Sequence, residues 1–442
     1  MERVVFKEFL SWKNSTSRKV LLIRGARQVG KTYLVRQLGK KFPNYLEVNL
    51  EQNMQVHQIF TQTQDPKQIC QLLSAYLGQR IIPGETLLFL DEIQACLPAI
   101  QSLRYFYEQL PELHVIAAGS LLEFALSEIP SFGVGRIRQI FMYPLSFDEY
   151  LVALGFQDLL ESKKKASPDN PLPDVLHSRL MELLRTFFVI GGMPEVVAGY
   201  LKTKDYLTCQ QIQNDLILSL ESDFARYKKK SPVLVLREVF RSVVNQAGNK
   251  FIFTKAGQNL SVAKAQEAFE LLRMARLVFP VYHSPASGIP LGTNIHQKRF
   301  KALLLDMGLQ QRLSSFELSD FLLTRNEDLI NRGAMAELFT GLEILKYRSP
   351  YEPPDLFYWH REARNSSAEV DFIIQKGKQL IPVEVKSGST GKMQSLFLFL
   401  KEKQLNQGIR ISTENFCKYP PIEVYPLYAV ENLVRKSAEP HP

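Results

Sequence analysis

The sequence predicts an α/β chain: a parallel sheet that carries a phosphate-binding loop, then a helical segment, a helix-and-hairpin segment and a second α/β region. Three observations predict this. An apolar run at residues 20–23 leads into Gly25-x4-Gly30-Lys31-Thr32, and a helical pattern follows at once. Three further apolar runs, at 86–93, 113–120 and 138–145, alternate with helical stretches; such continuous runs mark strands buried on both faces of a parallel sheet. Downstream, three helical patterns precede two strand-like runs, and a separate strand-rich stretch starts near residue 356.

The first strand and its loop satisfy what phosphate binding requires. Glycines let the backbone turn so that successive N–H groups face one anion, and the following helix adds its positive end. The expected nucleotide-binding set is Gly25, Arg27, Gln28, Val29, Gly30, Lys31 and Thr32. Lys31 supplies a point charge for the β and γ phosphates, and the Thr32 hydroxyl is placed to hold Mg2+. Tyr45–Leu50 reads as the next strand. Residues 86–93 end in Asp91 and Glu92, and residues 113–120 end in Ser120. Ligands of such sheets sit at the carboxyl ends of the strands, so these residues are expected to converge. Asp91 then orients Mg2+ or its water, Glu92 orients or deprotonates the attacking water, and Ser120 contacts that water or the γ phosphate. Two acids after a strand can instead cap a helix. Arg136 and Arg138 follow a glycine-rich loop. Either is a charge-stabilising arginine, acting within its own chain or on a neighbour, or a surface side chain. No Gly-x-Gly-x-x-Gly follows a strand, so a dinucleotide is not indicated.

Composition narrows the classes. A length of 442 residues allows about three domains. The longest apolar stretch, 115–126, is short of a membrane span and contains Glu123. The charged start does not read as a signal peptide. Cys70, Cys96, Cys209 and Cys417 lie far apart and form neither a zinc pattern nor a disulfide framework, which fits a reducing cytoplasm. The net charge is +9, and residues 231–301 alone carry 10 basic against 3 acidic side chains, or +7. Such a segment suggests a phosphate backbone as partner; a solvated basic face is the other reading.

Several of these motifs together resemble a known family. Gly25-Ala-Arg-Gln-Val-Gly-Lys-Thr, Leu90-Asp-Glu-Ile-Gln, Gly119-Ser-Leu-Leu, Gly135-Arg, Tyr143-Pro-Leu-Ser-Phe-Asp-Glu-Tyr and Gly191-Gly-Met-Pro-Glu look like the prokaryotic AAA-type ATPases, related to the STAND group, that carry a C-terminal domain of unknown function. The resemblance implies an ATP site with Asp91 and Glu92 as its Walker B acids, a sensor role for Ser120 and an arginine finger at Arg136. The AAA-type core is expected over residues 1–150 and a helical lid over 151–230, with helices at 176–189, 196–202 and 206–226. Lys163 to Pro173 reads as an exposed linker, and Lys228-Lys-Lys230 marks the next boundary.

Residues 231–330 show helical spacing at 233–246, a short helix at 254–260, a helix at 262–276 capped by Ser261, and strands at 277–282 and 299–306. Helix, helix, helix, hairpin is the order of a winged helix-turn-helix. Lys264, Gln266 and Arg273 decorate its third helix, which enters the major groove in DNA-binding versions. Other winged helices bind protein or close a nucleotide site.

In residues 331–442, an amphipathic helix over 333–345 precedes strands at 356–359, 369–375 and 380–388. Side chains two apart on a strand share a face, so Glu384 and Lys386 point together, with Asp371 on the neighbouring strand. Two carboxylates and a lysine on paired strands can hold a divalent metal and position water for phosphodiester attack. The alternative is a charged face on an edge strand. Asp371-x12-Glu384-x-Lys386 resembles the PD-(D/E)xK nuclease superfamily, with the first proline-aspartate reduced to Val370-Asp371; Glu337 matches the additional helix acid of many members. The resemblance implies a restriction-endonuclease-like α/β domain in which Asp371 and Glu384 bind Mg2+ or Mn2+.

Together these readings predict an ATP-binding and ATP-hydrolysing switch or motor, with Mg2+, coupled to a nuclease-like domain acting on nucleic acid, DNA favoured. The alternative is a non-cutting signalling or recognition module with an inactive nuclease fold. Oligomers and protein partners are compatible with both, and no membrane partner is expected.

Overall fold

The computed structural model describes residues 2–127, 129, 135–227, 231–314, 333–361, 368–386 and 393–435. Its first sheet has five strands: β1 (Val20–Arg24), β2 (Asn44–Asn49), β3 (Thr86–Asp91), β4 (His114–Gly119) and β5 (Ile137–Phe141). They run in the order β2-β3-β4-β1-β5, and every pairing is parallel. Alternation explains why these runs are continuously apolar. Leu21, Ile23, Leu87, Phe89, Ile116 and Ala118 enter one core, and Val20, Leu22, Leu88, Leu90, Val115 and Ala117 enter another on the opposite face. The predicted parallel sheet is therefore present, with β1 between β4 and β5.

Gly25 is required for a reason other than the tight turn expected of it. A Cβ there would collide with the Met142 carbonyl just beyond β5. The left-handed positions of the loop are Gln28 (φ 63°) and Gly30 (φ 93°).

The helices Asp174–Ile190, Pro194–Thr203 and Tyr206–Ser222 follow. Gly191 at φ 72° separates the first two, and its neighbour Gly192 donates its N–H to Asp306 Oδ2 at 2.7 Å. The stretch expected to be an exposed linker begins inside a helix, Gln157–Lys165. Lys163 is fully buried, with its ammonium 2.8 Å from Asp148 and 3.0 Å from Glu431. A lysine run reads as solvated because nothing local reveals acids 15 residues before and 268 after. Lys228 to Lys230 lie outside the described residues.

Beyond residue 231 come the helix Val233–Asn245, a 3-10 turn Phe253–Lys255 and the helix Val262–Met274, followed by β6 (Val278–His283) and β7 (His296–Leu304). β6 pairs antiparallel with β7 on one side. On the other it pairs in parallel with β8 (Leu356–His360), which continues to β9 (Glu369–Val370). The division expected near residue 330 separates stretches of sequence, but one sheet, β7-β6-β8-β9, crosses it.

The last sheet runs β10-β11-β12-β14-β13, formed by β10 (Phe372–Lys376), β11 (Gln379–Val385), β12 (Gly408–Ser412), β13 (Cys417–Tyr419) and β14 (Ile422–Pro426). The strand expected over 369–375 is broken at Asp371: its first half belongs to one sheet and its second half to the other. The helix Gly333–Tyr347 is not amphipathic. Met335 to Leu345 are all buried, because core, hairpin and last sheet enclose it, and its acids find internal cations. Glu343 sits 2.9 Å from Lys346 and accepts the Phe147 N–H at 3.0 Å, while Lys346 donates to the Leu145 carbonyl. The Tyr143-Pro-Leu-Ser-Phe-Asp-Glu-Tyr segment is thus where the C-terminal region docks onto the first sheet. Among the described residues, no helix is long and apolar enough to cross a membrane.

Candidate functional site

The P-loop lies at the carboxyl end of β1, and β3 and β4 deliver their terminal side chains beside it. Lys31 is buried, and its ammonium donates to the Gly25 and Ala26 carbonyls at 3.0 and 2.7 Å. These are neutral acceptors. Burial lowers its pKa to about 8; Glu92 and Asp91 oppose that fall without cancelling it. Thr32 donates from Oγ1 to Asp91 Oδ2 at 2.9 Å. Burial pushes the Asp91 carboxyl above its usual range, against the Thr32 hydrogen bond that pulls it down.

Glu92 adopts a left-handed backbone (φ 49°) and accepts from Gln94 Nε2 at 2.5 Å and from Ser120 Oγ at 3.4 Å. Lys31, Thr32, Asp91, Glu92 and Ser120 are therefore brought together, and Val29 is buried beneath them. Hydroxyl, carboxylate and ammonium groups around a loop with left-handed Gln28 and Gly30 fit a nucleoside triphosphate with its Mg2+.

Arg3, Glu51, Asp223 and Arg226, also at the loop, carried no spacing signal. Arg3 donates to the Val29 carbonyl at 2.8 Å, to the Tyr143 carbonyl at 2.7 Å and to Glu149 at 3.0 Å, tying the P-loop to the docking segment. Arg27 is held by Asp223 at 2.6 Å, and Arg226 pairs with Glu51 at 2.8 Å. Asp223 lies 196 residues from Arg27. Gln94 stood inside a quoted motif, but its contact with Glu92 depends on the turn that Glu92 makes.

Arg136 does not join this cluster. Because β5 is parallel to β1, with Val20 opposite Ile137, Arg136 sits at the amino end of the sheet and pairs with Glu108. A five-residue strand spans roughly 16 Å, so its own P-loop is out of reach. Arg138 packs over the Tyr351 ring at 5.6 Å.

The basic segment 231–301 is partly neutralised by acids from elsewhere in the chain. Among the described residues, at least six of its ten cations form ion pairs, five of them with acids outside the segment. Arg237 and Arg241 meet Glu221, Lys250 meets Glu369, Arg276 meets Glu123 and Lys301 meets Glu337; Arg273 pairs with Glu270 in its own helix. Lys264 and Gln266 are exposed on the helix Val262–Met274, beside Glu267 and Glu270.

The C-terminal residues also converge, with one the sequence reading missed. Glu384 and Lys386 share a face, their charges 2.6 Å apart. Asp371 Oδ2 accepts the Val385 N–H at 2.9 Å. β11 is flanked by β10 and β12, so it is no edge strand. Lys301 enters from β7 with its ammonium 2.6 Å from Glu337, 2.7 Å from Glu369 and 3.4 Å from Asp371. Burial lowers its proton affinity, but Glu337, Asp371 and Glu369 more than reverse this and hold it well above an ordinary lysine. Burial raises the Glu337 carboxyl to about 8 and the Glu384 carboxyl to about 7. Among the described residues, no three His, Cys, Asp or Glu side chains are grouped as a metal would need.

Residues 17–151 match the family described as an AAA domain. This is a P-loop ATPase core, in agreement with the five-stranded parallel sheet. Residues 181–320 and 332–428 match two families described as domains of unknown function, DUF8612 and DUF4143. No curated protein matches the chain. Among solved structures, similarity extends to a Walker-type ATPase of Pyrococcus abyssi, with 14% identity over 70% of this chain and 94% of that one at a TM-score of 0.45. The ORC1 protein of Aeropyrum pernix in complex with DNA gives 12% identity over 72% and 92% at 0.30. Pif1 of a Bacteroides species gives 15% over 38% and 47% at 0.22. Likenesses this weak carry no argument about function.

Proposed function

We propose that this chain is an ATP-hydrolysing switch whose nucleotide state is passed to a nuclease-like C-terminal unit that contacts nucleic acid. The observation that carries the reading is the Thr32–Asp91 hydrogen bond beside a Lys31 ammonium that, among the described residues, donates to two neutral carbonyls. Lys31 binds the β and γ phosphates, and Thr32 with Asp91 holds Mg2+, which when bound neutralises phosphate charge. Glu92 orients the attacking water once Gln94 and Ser120 share it with that water. Glu51, Asp223 and Arg226 tie the loop to the lid, so the lid responds to what occupies the loop. Arg136 reaches a nucleotide only across an interface between copies of the chain.

Arg3 and the 143–150 segment connect the P-loop to the buried helix Gly333–Tyr347, which also carries Glu337. This supports coupling between the two ends of the molecule. Lys264 and Gln266 are exposed on the helix that a winged helix-turn-helix would present to nucleic acid, and Arg273 is paired with Glu270 on the same helix. The lysine-filled carboxylate cluster favours recognition over cutting. Two assays on purified protein test the reading. Mg2+-dependent ATP hydrolysis falls at least a hundredfold in Lys31→Ala; unchanged turnover overturns the reading. DNA with Mg2+ or Mn2+ stays intact with and without ATP; cleavage that Lys386→Ala abolishes reinstates an active nuclease.

A further inference from the structure

We infer that the Lys301 ammonium is the resident cation of the C-terminal carboxylate cluster, occupying the position that a divalent metal takes in nucleases built on such acids. The inference rests on reading Glu337, Asp371 and Glu384 as a nuclease-like set, and it is independent of the ATPase.

Three observations carry it. The first is enclosure. Lys301 has a side chain only 2% exposed, and its ammonium contacts carboxylates from three separate places: Glu337 in the buried helix, Glu369 in β9 and Asp371 at the break between β9 and β10. The Tyr358 ring covers it at 5.6 Å. Lys301 lies in the inner half of β7, where residues 300–304 are all buried, while the outer half, residues 296–299, is exposed.

The second is how the remaining oxygens are used. Asp371 turns one oxygen to Lys301 and the other to the Val385 N–H. Glu384 gives Oε1 to Lys386, and only its Oε2 is buried without a hydrogen bond. A divalent ion needs several oxygens at about 2.0–2.6 Å. Among the described residues, Lys301 and Lys386 thus take up one oxygen each of Glu337, Glu369, Asp371 and Glu384.

The third is electrostatic. Lys301 and Lys386 lie against Glu337, Glu369, Asp371 and Glu384, and Lys250 reaches Glu369 at 3.7 Å. Most of the negative charge that would attract a metal is already balanced by the chain itself. Hydrolysis of the expected kind needs a metal between these acids, so the unit as folded binds or docks.

Mn2+ titrated into the nucleotide-free, full-length protein and followed by EPR tests this. Wild type and Asp371→Asn should take up the same amount. Lys301→Met should take up one further equivalent, and Lys301→Met/Asp371→Asn should lose it again. An equivalent bound by wild type and missing from Asp371→Asn overturns the inference, as does a folded Lys301→Met that gains none. If circular dichroism shows Lys301→Met unfolded, Lys301→Gln replaces it, and the wild-type against Asp371→Asn comparison still decides. ATP turnover, measured alongside, separates failure here from failure of the P-loop reading.

Discussion

Two buried lysines define the two ends of this molecule, and their surroundings are opposite. Lys31 faces the carbonyls of its own loop, and burial lowers its pKa to about 8. Lys301 faces three carboxylates, and its pKa is raised despite burial. A buried cation held by neutral dipoles attracts an anionic ligand, whereas one already matched by carboxylates is part of the structure. The same residue type thus makes a binding site in one place and a plug in the other.

Stability should separate the two most. Lys301→Ala leaves buried carboxylates unpaired and should cost about 3–5 kcal/mol, the range for breaking a buried ion pair. Lys31→Ala removes an ammonium whose burial is poorly compensated and should leave the nucleotide-free protein as stable as wild type or slightly more so. Urea denaturation of both checks this. Equal losses would break the contrast.

A pH dependence sharpens it. In the nucleotide-free protein, Lys31 loses its proton near pH 8, below the ordinary lysine value of 10.5. Its burial therefore destabilises the fold below pH 8, and that penalty fades as pH rises toward 10.5. Phosphates favour the ammonium, so above pH 8 nucleotide binding takes up a proton and weakens by up to about tenfold per pH unit. Calorimetry at pH 9 in two buffers of different ionisation heat should report that uptake. Binding without proton uptake would mean that Lys31 is charged before the ligand arrives.

The contrast also shows what a sequence reveals. Lys31, Thr32, Asp91, Glu92 and Ser120 were legible because a buried parallel sheet sends the ends of its strands to one place, and apolar runs reveal where strands end. Glu384 and Lys386 were legible through strand alternation. Lys301 was not, because its partners lie 36 to 70 residues away. For the same reason the +7 of residues 231–301 resembled a surface, although Glu123, Glu221, Glu337 and Glu369 lie outside the segment that they neutralise. Whether Arg136 could serve its own P-loop was not legible, because motif order says nothing about which end of a sheet a loop occupies; the parallel register of β5 decides that.

One substitution addresses the P-loop site directly. Glu92→Gln keeps the shape of the side chain held by Gln94 and Ser120 but removes its charge. ATP binding should persist while Mg2+-dependent phosphate release falls at least about a hundredfold, in the range for losing a general base. Wild-type turnover in Glu92→Gln would contradict a hydrolytic site at the end of β3.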